Sequence, residues 1–257
     1  MKIRCLIENT CNLDTLKAEH GLSLLIETGA HRILFDTGAS AAFAENAEQM
    51  RLDLRTVDTA ILSHGHYDHG GGLERFLKIS HRAKVWASPH AFDPHFNASG
   101  KDIGLPPALR AQTQIHSATE PVTELYSGIT LHQGNEIAVE DCAGMSAICN
   151  GVHMPEDFRH EQYLLIQEGN KRILISGCSH RGILNIAEHF RADILIGGFH
   201  LMKEIDTSRL SALAERLQKL PTRFYTGHCT GELAFSTLKR VLGNQLHRFS
   251  TGDCLKL

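Results

Sequence analysis

Eleven residues of this chain recur nearly unchanged 140 positions further on, and that echo limits the possible folds more than any other feature. Leu24-Leu25-Ile26-Glu27-Thr28-Gly29-Ala30-His31-Arg32-Ile33-Leu34 aligns with Leu164-Leu165-Ile166-Gln167-Glu168-Gly169-Asn170-Lys171-Arg172-Ile173-Leu174, with seven of the eleven positions identical. Each is an aliphatic run broken by a turn glycine, which reads as strand, turn, strand. Any two hairpins share apolar residues and a glycine, but a matching arginine and an equal length need more than that. Phe35-Asp36-Thr37-Gly38 follows the first unit and Ile175-Ser176-Gly177-Cys178 the second. The expectation is two similar halves, each delivering a polar loop from the end of its second strand. Two packed sheets with helices outside would satisfy it.

The rest of the chain fits an α/β pattern. Met1–Glu8 reads as a first strand, Ala39–Met50 and Gly72–Ile79 as helices, Thr59–Leu62 and Lys84–Ser88 as strands, and Glu232–Leu242 as an amphipathic helix. Five of the seven prolines fall between Pro89 and Pro121. Proline removes an amide donor and disfavours helix before it, so this segment is expected to be irregular, either a surface loop or a lid. At 257 residues and 42% hydrophobic, the chain can bury the core of a single domain spanning residues 1–257. A net charge of −3 argues against a nucleic-acid partner. No apolar run reaches the roughly 18 residues of a membrane span. Seven cysteines (5, 11, 142, 149, 178, 229 and 254) without a CxxC pair argue against a disulfide framework and for a reducing, cytoplasmic setting.

The chemistry concentrates in His64-Gly65-His66-Tyr67-Asp68-His69, at the end of a buried strand and before Gly70-Gly71-Gly72. Imidazole and carboxylate are the common ligands of zinc and related divalent ions. Composition alone would produce HxHxDH roughly 0.003 times in a chain like this. In extended chain His64 and His66 share a face, and a tight loop can turn Asp68 and His69 toward a second ion.

These residues resemble the metallo-β-lactamase superfamily, whose signature is this HxHxDH loop on an αβ/βα sandwich of two mixed sheets flanked by helices. Phe35-Asp36-Thr37-Gly38 is similar to the family's early aspartate loop, which braces the metal loop. Thr226-Gly227-His228 is similar to its last metal histidine. Gly177-Cys178-Ser179-His180-Arg181-Gly182-Ile183, Gly197-Gly198-Phe199-His200-Leu201 and Thr226-Gly227-His228-Cys229-Thr230-Gly231 together resemble one branch. That branch contains the dihydropterin–aminobenzene ribofuranosyl phosphate synthase of methanopterin biosynthesis and many uncharacterised bacterial relatives.

The resemblance implies His64, His66, Asp68, His69, Cys178, His180 and His228 as metal ligands, for two divalent ions: zinc first, with iron or manganese as alternatives. Cys178 stands where the family usually has a bridging aspartate, and a thiolate favours zinc or iron over magnesium. A buried structural thiol is its plainer reading. The family's usual third histidine of the first metal has no match in context. His180 is the favoured substitute, with substrate contact as its other role, while His153 and His160 also lie in the region. His200, after the buried run Ile194–Gly198, is expected to contact substrate or transfer a proton. His20, His31, His81, His95, His116, His132, His189 and His247 carry no such placement, and Cys229 is not assigned.

Such a centre would acidify a bound water, with Asp68 able to ligate and to accept a proton. A hydrolase acting on a small phosphorylated heterocycle is the leading expectation. The alternatives are a transferase joining a dihydropterin methyl diphosphate to an aminobenzene ribofuranosyl phosphate, a di-iron redox protein, and a non-catalytic metal sensor. No P-loop or GxGxxG run supports a nucleotide cofactor, and the oligomeric state is open.

Overall fold

The repeated segments form the same hairpin twice. In the first, Leu24 pairs with Phe35, Leu25 with Leu34, Ile26 with Ile33 and Glu27 with Arg32. In the second, Leu164 pairs with Ile175, Leu165 with Leu174, Ile166 with Ile173 and Gln167 with Arg172, so each pair recurs at the same offset. The match extends to the next strand. Arg32 N–H donates to Asp58 Oδ2 (2.9 Å) and its carbonyl accepts from Asp58 N–H. Arg172 and Asp193 make the same two bonds, the first at 2.7 Å. The shared arginine thus marks where each hairpin is clamped to the following parallel strand.

The computed structural model describes residues 1–141 and 143–257. The chain divides into two compact units, one of Met1–Glu120, Cys142–Gln162 and Ser250–Leu257, the other of Pro121–Asp141 and Tyr163–Phe249.

In the first unit, a seven-stranded mixed sheet runs Cys254–Lys256, Lys2–Ile7, Ser23–Glu27, Arg32–Phe35, Thr59–Ile61, Lys84–Ala87, Ile115–Ser117. The helices Ala42–Gln49 and Leu73–Ile79 bury Phe43 and Ala47, and Leu73, Phe76 and Leu77, the three-and-four spacing of a core-facing stripe. These join Leu25, Leu34, Val57 and Val85 in one apolar cluster; burying a phenylalanine fully contributes about 1.5–3 kcal/mol. The proline-rich stretch from Pro89 to Pro121 contains little regular structure, with a short 3-10 turn at Pro107–Ala111. It holds short strands at His95–Phe96 and Ile115–Ser117, which gain their hydrogen bonds from neighbouring strands rather than from any pattern of their own. It also buries Ala91, Phe92, Leu105 and Leu109 in the same cluster. A smaller sheet runs Val152–Pro155, Ser146–Cys149, His95–Phe96.

In the second unit, a seven-stranded mixed sheet runs Leu246–Arg248, Arg223–Thr226, Ile194–Ile196, Lys171–Ile175, Gln162–Glu168, Ile129–Gln133, Val122–Tyr126. The helices are Ile183–Phe190, Thr207–Gln218 and Glu232–Leu242. Asp206 caps the second of these by accepting from Ser208 and Arg209 N–H. Glu232–Leu242 buries Ala234, Leu238 and Leu242 at four-residue spacing, the amphipathic face read from sequence. Both sheets mix parallel and antiparallel pairs with helices alongside, so the α/β class holds. Among the described residues no helix is long and apolar enough to cross a membrane.

Candidate metal centre

In each unit the polar loops emerge where parallel strands end. In the first, the strand Thr59–Ile61 runs into Ser63 and the histidine loop, and Asp36 follows the strand beside it. Asp36 is buried with a left-handed backbone (φ 59°) that turns its carboxylate back to the loop. Ser63 N–H donates to Oδ1 and the Ser63 hydroxyl to Oδ2, each at 2.7 Å. His69 Nδ1 lies 2.7 Å from Oδ2, and His64 Nδ1 lies 2.8 Å from the Ser63 oxygen.

Those contacts determine the tautomers. The carboxylate only accepts, so His69 donates from Nδ1. The serine has spent its proton on Asp36, so it accepts from His64 Nδ1. Both rings therefore carry their lone pair on Nε2, the form in which imidazole binds a metal while its other nitrogen is held by a hydrogen bond. Thr37 N–H adds a 2.7 Å bond to the His69 carbonyl. The early aspartate loop thus braces the metal loop, through a serine that sequence reading passed over although it directly precedes the motif.

His64, His66, Asp68 and His69 are all buried. The ring centroids of His64 and His66 lie 4.6 Å apart, those of His64 and His69 4.1 Å. Asp68 Oδ2 lies 3.3 Å from His20 Nε2, so His20, read as uninvolved, sits against this set. Gly65 has no room for a side chain, since a Cβ there would lie 2.1 Å from the Ala91 carbonyl oxygen. Its N–H donates to His160 Nδ1 at 2.8 Å. A neutral His160 consequently has its proton on Nε2, and the ring holds the loop rather than offering it a lone pair.

His95, expected from sequence to be uninvolved, also lies beside the metal loop. It is buried, stacked on His160 (centroids 4.0 Å apart) and 5.7 Å from the His66 ring. Its Nδ1 faces Glu156 Oε2 at 2.7 Å and its Nε2 faces the His90 carbonyl at 3.1 Å. Both neighbours are acceptors that hold the ring in place, and one donor atom each of His66, His95 and His160 lies within 4.8 Å of the others. Glu156 had no signal in the sequence. His153 lies exposed on Val152–Pro155 with Nε2 3.1 Å from the Ser146 hydroxyl.

In the second unit, Cys178, His180 and His200 come together, with one ligand atom of each within 4.8 Å of the others. The His180 and His200 rings are 4.2 Å apart. Cys178 and His228 likewise offer atoms within 4.8 Å, His228 being buried just beyond the strand Arg223–Thr226. Ser179, His200 and His228 all have positive φ (58°, 52° and 46°), backbone strain of the kind that gathers at functional sites. Gly197 (φ 147°) passes so near the Cys178 loop that a Cβ would meet the Ser176 carbonyl oxygen at 2.1 Å. The Nδ1 of His200 is a buried donor or acceptor without a hydrogen-bond partner among the described residues.

Cys229, unassigned from sequence, belongs here too. Its Sγ accepts from His200 N–H at 3.2 Å. Burial pushes this thiol up, but hydrogen bonding to Cys178, the charge of His228 and the neighbouring His200 outweigh it and hold Cys229 well below the ordinary thiol range.

The donors fit a divalent ion such as zinc. Imidazoles, a carboxylate and a thiolate are its usual partners, and Asp36 and Ser63 set two of the rings in the tautomer that binds it.

Residues 16–142 match the metallo-β-lactamase superfamily model. Two proteins of Methanocaldococcus jannaschii are each 29% identical to this chain. One is named 7,8-dihydropterin-6-methyl-4-(β-D-ribofuranosyl)-aminobenzene-5'-phosphate synthase, covering 93% of this chain and 90% of its own length. The other is the uncharacterized protein MJ0448, covering 99% and 98%. Among solved structures, Tm1679, described as a metal-dependent hydrolase of the β-lactamase superfamily, is 29% identical over 100% of this chain and 99% of its own, with a TM-score of 0.85. Zinc-bound PqqB from Methylobacterium extorquens shares the fold at 13% identity and a TM-score of 0.62, with each chain covered fully. With its HxHxDH loop, its aspartate brace and its mixed-sheet architecture, the chain has the metallo-β-lactamase fold and matches that superfamily over residues 16–142.

Proposed function

We propose that this protein is a metal-dependent hydrolase acting on a small, phosphorylated heterocyclic substrate. The observation that carries the reading is the Asp36–Ser63 brace, which presents Nε2 of both His64 and His69. A chain that needed these histidines only for packing would have no use for a buried carboxylate that sets their tautomers. The ligands we assign are His64, His66, Asp68, His69, Cys178, His180 and His228. The family motif and the donor chemistry around each of them support the assignment. His180 is preferred to His160 because the His160 Nδ1 is engaged by Gly65 N–H, and to His153 because that ring is exposed.

Two divalent ions, zinc by the softness of Cys178, would supply Lewis acidity and a water acidified toward neutrality. Asp68 accepts the proton released there. His200, with its unpartnered Nδ1, delivers a proton to the leaving group or holds a polar atom of the substrate. The 29% identity to the methanocaldococcal synthase over 93% of the chain favours a second reading. In it the same residues hold a pterin methyl diphosphate while a carbon nucleophile displaces diphosphate.

One experiment separates the two. Zinc-loaded protein is incubated with phosphodiesters, lactones and a dihydropterin methyl diphosphate, each with and without an aminobenzene ribofuranosyl phosphate. Turnover that needs only water supports the hydrolase. Diphosphate release that depends on the aminobenzene overturns it in favour of the synthase, and no turnover in any arm overturns both.

A further inference from the structure

His90, Asp93 and Cys149 form a second group of metal donors, and none of them belongs to the ligand set above. One donor atom of each lies within 4.8 Å of the others, and all three are half-buried, within reach of solvent. His90 Nδ1 is 2.9 Å from Asp93 Oδ2. Arg110 Nη2 donates to Asp93 Oδ1 at 2.7 Å and to the Pro89 carbonyl at 3.1 Å, which orients the carboxylate and leaves Oδ2 toward the histidine. Ile148 N–H donates to the Pro94 carbonyl at 3.0 Å, so the strand that carries Cys149 is tied to the segment that carries Asp93. Cys149 is the last residue of that strand, ahead of the turn Asn150-Gly151.

We propose that His90, Asp93 and Cys149 bind a zinc-class divalent ion, with solvent as the fourth ligand. Around zinc, nitrogen and oxygen ligands sit about 2.0–2.2 Å from the ion and sulfur about 2.3 Å, so neighbouring donors are about 3.2–3.8 Å apart. The His90–Asp93 pair is a few tenths of an ångström short of that spacing. A rotamer change at Cys149, at the mouth of its turn, closes the remainder. On binding, the ion takes the Nδ1 lone pair of His90, whose proton moves to Nε2, and the Cys149 thiol loses its proton to solvent. Thiolate, carboxylate and dication then sum to zero charge, and Arg110 keeps its bond to the other Asp93 oxygen.

The surrounding field agrees. Although burial raises Asp93, hydrogen bonds from Arg110 and His90 hold its carboxyl below the usual range, so it is ionised at neutral pH. Burial pushes the Cys149 thiol up, Arg159 opposes this, and the carboxylates of Asp93, Asp157 and Glu156 reinforce it. Of these influences, the three carboxylates are the ones that favour a cation at the site. The donor set, one soft thiolate, one hard carboxylate and one imidazole between them, selects zinc over magnesium or calcium.

The test uses full-length protein, stripped with a chelator and dialysed against chelator-buffered zinc. Wild type is expected to retain one more equivalent of zinc than C149S or H90Q. H66A, altered at the principal ligands, is expected to keep the Cys149-dependent equivalent, as the difference between H66A and H66A/C149S. With cobalt in place of zinc, the spectrum of wild type minus C149S should contain a thiolate-to-cobalt charge-transfer band. Equal zinc content in wild type, C149S and H90Q overturns the proposal, as does a difference that appears only under excess metal. If C149S fails to fold, H90Q alone decides, because His90 is exposed enough to tolerate the change.

Discussion

Asp36 Oδ2 receives both the His69 ring, 2.7 Å away, and the Ser63 hydroxyl, also at 2.7 Å, so one buried oxygen governs two histidines of the metal loop. In D36N an amide must replace an acceptor that serves three donors, and one of those contacts is lost. Removing a partner of this kind lowers metal affinity by about 10–100-fold. Competition with a chromophoric chelator measures it. Unchanged zinc affinity in folded D36N would show that the histidine tautomers do not depend on this carboxylate.

His160 should behave as a brace. H160N can still accept the Gly65 N–H and should bind the full complement of zinc, with affinity reduced by less than about tenfold. H160F leaves a buried N–H unpaired, which costs about 1–3 kcal/mol, and should lower both thermal stability and metal affinity. Loss of a whole zinc equivalent in H160N would instead make His160 a ligand.

Single alanine replacements at His66 and Asp68 are expected to remove at least one metal equivalent while the far-ultraviolet circular dichroism stays unchanged. H180A should lower occupancy in the same assay. If H180A keeps its metal and loses turnover, His180 belongs with substrate contact.

Gly197→Ala adds a Cβ that would lie 2.1 Å from the Ser176 carbonyl oxygen, at a φ of 147° that L residues rarely adopt. Relief requires moving the loop that carries Cys178 and His180. The expected cost is on the order of 2–4 kcal/mol, read as a lower midpoint in thermal unfolding, with metal affinity falling alongside. A midpoint equal to wild type would mean that the loop yields freely.

What was legible in the sequence was what repeats or lies close together along the chain. The hairpin echo marked two strand–turn–strand units, and the structure pairs both in the same register, because register follows from alternating side chains and a turn of given length. The HxHxDH run needed no partner to be recognised. His160 and His95 were harder, since their roles come from Gly65 and Glu156, 95 and 61 residues away. His20 lies in no motif, and Cys229, although inside the Thr226–Gly231 run, has no assigned role in sequence because a neighbour of His228 need not point the same way.

The sequence by itself determined the resemblance to the metallo-β-lactamase superfamily, the α/β architecture and the chemical identity of the donors. Those are properties of side chains and of periodicities that span only a few residues. Tertiary structure decided which hydrogen-bond partners the rings of His64, His69 and His160 meet, and that Asp36 and Ser63 stand against two of them. Hydrogen-bond partners and burial exist only once distant segments meet, and no local pattern encodes the distance between Asp36 and His69.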